Sequence, residues 1–200
     1  MSITLPKPGF STMEHQSILD FWFGTGDDRG KARADWFKKD PAFDVLIRER
    51  FFDALEAAAL GRFEHWLDQP ASSLGLIVLL DQFPRHMFRG TARAFATDAK
   101  ARAVTAHVLQ YGFDRAMLPV ERMFVYLPLE HSENLGDQDD CHRLMLQLAP
   151  FPETANVHEW AEKHRAIIRR FGRFPHRNEA LGRDSTPEEI EFLKTPGSGF

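Results

Sequence analysis

Apolar positions recur at steps of three and four along most of this chain. Phe43, Ile47, Phe51, Leu55 and Ala58 alternate with Arg48, Glu49 and Arg50, which predicts an amphipathic helix ending at Gly61. A shorter apolar helix ends over Ile18 to Phe23, before a Gly/Asp loop at 24–30. Leu74 to Phe83 is apolar on every side and joins Pro70 and the Ser72-Ser73 pair in one helix-length segment, so it reads as a buried helix rather than a strand. Further helices are expected over Asp98–Tyr111, closed by Gly112, and from near Pro119 through Met123, Phe124 and Leu127, with a kink at Pro128. Segments 138–148 and 157–171 add two more, the second with Trp160, His164, Ile167, Ile168 and Phe171 on one face. Thr186-Pro187-Glu188-Glu189 is a capping box that opens a last short helix. No stretch alternates with period two. The pattern predicts one all-α domain over residues 1–200, with seven to nine helices stacked as antiparallel pairs.

Two Phe-Pro pairs interrupt this pattern, at Asp81-Gln82-Phe83-Pro84-Arg85-His86 and at Phe171-Gly172-Arg173-Phe174-Pro175-His176-Arg177-Asn178. Proline has no N–H and disfavours helix for the residue before it, so each pair is expected to stop a helix and hand the chain to Arg and His. If the two exits meet, they form an anion-binding site.

Composition narrows the classes. Two hundred residues with 43% hydrophobic content, including 18 Phe, suffice for one substantial core. Leu76 to Leu80 is far short of the roughly 20 apolar residues that span a bilayer, so neither a membrane span nor a targeting segment is expected. A net charge of −4 offers no general attraction to nucleic acid. Cys141 is the single cysteine, which excludes an internal disulfide and a Cys-rich zinc site and fits a reducing cytoplasm. Charge is blocked locally. Residues 130–140 carry Glu130, Glu133, Asp137, Asp139 and Asp140, whereas 163–183 carry Lys163 and six arginines against Glu179. Arginine suits bidentate contacts to carboxylate or phosphate and tolerates partial burial.

Chemistry-bearing residues fall into three groups. Asp81 and Gln82 end the most apolar segment, where a carboxylate needs a nearby cation, and Arg85, Arg89, Arg173 or Arg177 can supply it. A structural ion pair that locks the helix exit explains this as well as a ligand site does. Tyr126, Glu130 and Glu133 are spaced by four and three with His131 beside them, an arrangement that suits acid–base chemistry, divalent-metal ligation or pairing with the Arg-rich block. Arg173, His176, Arg177, Asn178 and Arg183 crowd donors into a short stretch held down by Phe171, Phe174 and Leu181. His158 and His164 are six apart, not the four that a zinc helix needs, so His164 reads as a core histidine and no metal is expected. Nucleophile-elbow and Gly-rich phosphate motifs are absent, and nothing in the sequence names a cofactor.

The segments Leu19-Asp20-Phe21-Trp22-Phe23, Trp36-Phe37, Asp40-Pro41, Phe43-Asp44, Leu79 to Arg85, Arg89-Gly90, Phe95, His131-Ser132-Glu133, Asp137-Gln138 and His164 to Gly182 together resemble the bacterial family called domain of unknown function 924. The resemblance covers nearly the whole chain and implies a tetratricopeptide-like helical superhelix. It implies no activity. The expected function is binding of an anionic small molecule or peptide, through ligand-binding residues Asp81, Arg85, Arg89, His131, Glu133, Arg173, His176, Arg177 and Asn178. The alternative is a hydrolase in which Glu133 and His131 act as base or metal ligands while the arginines stabilise an anion.

Overall fold

The computed structural model describes residues 14–199, and within them the chain is all-α. The helices are α1 (His15–Phe23), α2 (Pro41–Ala59), α3 (Pro70–Ile77), α4 (Phe83–Met87), α5 (Asp98–Tyr111), α6 (Pro119–Glu130), α7 (Leu135–Leu146), α8 (Val157–Phe171) and α9 (Pro187–Leu193), joined by short 3₁₀ turns. Their ends follow from local chemistry. The Asp40 carboxylate accepts from the backbone N–H groups of Ala42 and Phe43 at the start of α2, with Pro41 in the first turn. Gly112 and Gly172 close α5 and α8 at φ 68°, a left-handed conformation that favours glycine.

The core is built on aromatic side chains of α1, α2, α4 and α6. Trp22, Phe23, Phe51, Phe83 and Phe124 are fully or almost fully buried, and Trp36 joins them by donating Nε1–H to the Trp22 carbonyl at 2.8 Å. Edge-to-face rings such as Trp36 on Phe124, 4.7 Å apart, fix their mutual orientation. Around this core α1 packs on α3, α2 on α4, and α5, α6, α7 and α8 pack in succession.

The first Phe-Pro pair does not stop a helix, contrary to expectation. Between α3 and α4 runs a π turn, Val78–Gln82, and Phe83 N–H bonds to the Val78 carbonyl, five residues back. Pro84 cannot donate to the Leu80 carbonyl, and the Thr97 hydroxyl does so instead at 2.6 Å. With that acceptor satisfied, the helix widens and continues to Met87. The second pair also comes late, because α8 has already ended at Gly172 before Phe174-Pro175. Pro128 lies within the last turn of α6.

Trp160 departs from the expected buried face of α8. It is 52% exposed, with the Lys163 ammonium 3.9 Å from its ring centre. α6 ends at Glu130, and Asn134 caps α7 by accepting from Asp137 N–H. His131 to Asn134 therefore form a corner, and Tyr126, Glu130 and Glu133 do not share a helical face. Tyr126 donates to Asp114 at 2.8 Å, inside the core.

Candidate functional site

The π turn places Asp81 where no water reaches it. Its Oδ2 accepts from Gln82 Nε2 at 2.5 Å, while Oδ1 lies 2.8 Å from His131 Nδ1 and 3.2 Å from Arg85 Nη1. Burial alone raises a carboxyl, but Arg85 and His131 outweigh it and hold Asp81 down at about 2. Asp81 is thus an acceptor only, and His131 Nδ1 must carry the hydrogen.

Arg85 extends the cluster to α5. Its Nη1 and Nη2 donate to the two Asp98 oxygens at 3.0 and 3.1 Å, and Nη1 also bonds to the Asp81 carbonyl at 2.6 Å. Burial and the nearby Arg85 guanidinium lower His131 below the usual imidazole range despite Asp81. It is neutral at pH 7, and its Nε2 carries a lone pair.

Arg177 arrives from the 3₁₀ turn Pro175–Arg177 after α8. It is 6% exposed, and its guanidinium lies between two rings, 4.7 Å from the centre of Phe95 and 4.4 Å from that of Phe174. Nη1 donates to the His131 carbonyl at 3.0 Å, Asp98 Oδ2 is 3.7 Å away, and the buried Nε–H has no hydrogen-bond partner among the described residues. Burial and Arg85 pull Arg177 down to about 10, which leaves it charged at neutral pH.

These groups open on a crevice of about 300 Å³ lined by Asp98, Arg102, His131, Ser132, Glu133, Asn134 and Arg177. Glu133 is engaged on one wall. It accepts from Arg183 at 2.6 and 2.9 Å and from the Phe174 N–H at 2.8 Å, contacts that outweigh partial burial and keep it below the usual range. Arg102 is held loosely, with Nε 3.6 Å from Asp137.

Of the residues expected at the site, Asp81, Arg85, His131, Glu133 and Arg177 come together here. Arg89 does not. It stands on Asp44 at 2.6 and 2.9 Å, with His86 on the same carboxylate at 2.7 Å. Arg173 also faces elsewhere, gripping Glu189 at 2.6 and 2.7 Å, and Asn178 donates to Ser185 and Glu189. A larger surface hollow beside Arg170 and Arg173 is a weaker candidate, because both arginines are paired, with Glu188 and Glu189. His176 packs near Phe174, with burial foremost in pulling its imidazole down to about 4. Asp98 and Arg102 were not singled out by sequence. An aspartate opening a helix reads as a cap, and only the 13-residue separation from Arg85 hints at a pair.

Behind the crevice lies a second buried group. Burial, reinforced by the charge of Asp81, pushes Glu130 up to about 8, and burial pulls His164 down to about 3. His164 Nδ1 donates to the Trp160 carbonyl at 2.9 Å. Although Glu130 Oε1 is only 3.5 Å from that nitrogen, both side chains are neutral at pH 7 and form no ion pair. Among the described residues no three His, Cys, Asp or Glu side chains converge to hold a metal, and no helix is long and apolar enough to cross a membrane.

Residues 18–197 match the family described as bacterial protein of unknown function, DUF924, and the chain belongs to that family. Its structure is similar to that of a protein of unknown function, ATU0120, from Agrobacterium tumefaciens. The two are 42% identical with a TM-score of 0.80, over 90% of this chain and 96% of the other. No curated protein matches the chain.

Proposed function

We propose that the crevice beside His131 binds the anionic group of a small molecule or of a peptide. The observation that carries this reading is Arg177: a guanidinium buried between two phenyl rings, charged, lining the crevice, with an N–H that no group among the described residues accepts. Burying a guanidinium charge with few polar partners is costly, and an anion in the crevice that Arg177 lines would offset it. Arg102 supplies a second, loosely held cation. The crevice also lies at the start of α5 and α7, since Asp98 and Asn134 line it, and the positive ends of helices favour anions. Helical pairs in a tetratricopeptide-like arrangement would offer such a site on a concave face.

The test is thermal denaturation with a panel of phosphates, carboxylates and acidic peptides. An anion that binds raises the melting temperature, and Arg177→Met, which keeps an apolar stem between the two rings, abolishes the rise while the circular dichroism stays native. An unshifted melting temperature across the panel, or a shift that survives Arg177→Met, refutes the proposal.

One observation favours a hydrolase as the second reading. Asp81 fixes the tautomer of His131 as an acid does for the histidine of a catalytic triad, leaving Nε2 as a base. Glu133, held by Arg183, is then a wall residue rather than the base. Hydrolysis of a carboxylate-bearing aryl ester that is equally fast in His131→Gln excludes this reading.

A further inference from the structure

We propose that the crevice selects a phosphoryl dianion, free or as a small monoester, over a carboxylate, with His131 Nε2 as a third contact beside Arg177 and Arg102. This rests on the anion-binding reading and names the ligand class. The Nδ1 edge of the His131 ring is committed to Asp81, whereas Nε2 has no partner among the described residues and the residue lines the crevice. Whatever binds against Arg177 therefore meets a nitrogen that changes from acceptor to donor on gaining one proton.

The surroundings decide which ligand suits that nitrogen. Asp81 faces His131 from the π turn, Arg85 from α4, Asp98 and Arg102 from α5, Glu130 from α6, His164 from α8, and His176 and Arg177 from the turn after α8. Of the lining residues, Glu133 is paired with Arg183 and Arg102 stands against Asp137. Glu130, His164 and His176 are neutral at pH 7, so the charges that remain are Asp81, Asp98, Glu133 and Asp137 against Arg85, Arg102, Arg177 and Arg183. They balance. A ligand carrying two negative charges unbalances the crevice and draws a proton onto Nε2, where Asp81 already stabilises the imidazolium through Nδ1–H.

A phosphate monoester fits this on two counts. Its second ionisation lies near pH 6, so at pH 7 it arrives mostly as the dianion that draws the proton onto Nε2, and its three terminal oxygens match three donors. A carboxylate has two oxygens and no proton at pH 7, and it sets a bare lone pair against that of Nε2.

The experiment is isothermal titration calorimetry of the whole chain at pH 7 with inorganic phosphate, glycerol 3-phosphate and acetate, each in two buffers of different ionisation heat. Phosphoryl ligands should bind about tenfold or more tighter than acetate and take up a measurable fraction of a proton, which His131→Gln removes. Comparison of the two phosphoryl arms separates free phosphate from a monoester. In the unmutated protein, the His131 ring Cε1–Hε1 signal should move toward the imidazolium position on adding phosphate, a readout independent of how the variant folds. Binding of phosphate with no proton uptake and a stationary His131 signal overturns this inference and leaves the anion-binding reading standing. Absence of binding by both phosphoryl ligands also overturns this inference, while the anion-binding reading falls only if the wider panel of carboxylates and acidic peptides leaves the melting temperature unshifted.

Discussion

Replacing Glu130 by glutamine should make the protein more stable, and increasingly so as pH rises. Glu130 is 5% exposed and its carboxyl is pushed from 4.5 to about 8 by burial and by Asp81. Below pH 4.5 it is protonated whether the chain is folded or not, so it carries no penalty. Between 4.5 and about 8 the unfolded chain gives up the proton and the folded chain keeps it. Each pH unit in that window costs the native state roughly 1.4 kcal/mol, which amounts to about 3 kcal/mol at pH 7 and levels off above pH 8. Glutamine has the shape of the protonated acid and no ionisation to lose. For a domain of this size about 3 kcal/mol corresponds to roughly 6–12 °C in melting temperature. Thermal and urea denaturation of Glu130→Gln and the parent at pH 4.5 and 7.5 measures it. A difference between the two proteins that does not grow with pH, or a variant less stable at pH 7.5, would mean that Glu130 is not held protonated in the fold.

Asp81→Asn should destabilise the fold by about 3–5 kcal/mol at pH 7, since it leaves Arg85 without one of its two buried acids and His131 Nδ1–H without a charged acceptor. Because Asp81 sits at about 2 instead of 3.8, its contribution is complete above pH 3.8 and is lost as pH falls through 2, so urea titrations of parent and variant should converge in strong acid. Thr97→Val keeps the shape but removes the donor to the Leu80 carbonyl, and urea denaturation should show a loss of about 1–3 kcal/mol. Arg173→Ala should free the segment after Asn178, which Arg173 ties down through Glu189 and the Asp184 carbonyl, so limited proteolysis should cut there first while the remainder persists.

The helices were legible because their faces and caps are local. Gly112 and Thr186 act on backbone groups within a few residues of themselves. What was not legible depends on residues distant in sequence. Pro84 reads as a stop unless Thr97, thirteen positions on, is known to satisfy the carbonyl that the proline leaves open. Glu133 reads as part of a helical face unless the corner after Glu130 is seen. The same holds for the site. Burial singled out Asp81 as an acid in need of a cation, and Arg85, four residues away, was its natural partner. Arg89 and Arg173 have charge and spacing like those of Arg177, but Asp44 and Glu189 reach them first. Which of several equivalent arginines stays without a full set of acceptors is a matter of tertiary pairing alone.

That distinction bears on why the buried polar cluster exists. If it served only to lock the π turn against α5 and the corner after α6, Asp81, Arg85, Asp98 and His131 would suffice, because every acid there already has a donor and Arg85 is bonded at both terminal nitrogens. Arg177 adds a second guanidinium that burial and Arg85 lower, bonds to one backbone carbonyl, stands 3.7 Å from an Asp98 already held by Arg85, and keeps a buried N–H without an acceptor among the described residues. As a structural element it is poorly chosen, since an apolar side chain between Phe95 and Phe174 would avoid both the repulsion and the desolvation. As one wall of an anion site, those same two costs become the driving force for binding: the incoming charge offsets the Arg85–Arg177 repulsion and the desolvation of the buried guanidinium. The two roles therefore predict opposite signs for Arg177→Met, with the fold gaining stability and the ligand losing affinity if the residue is there to bind. A purely structural Arg177 would lose stability and leave every anion response as it was.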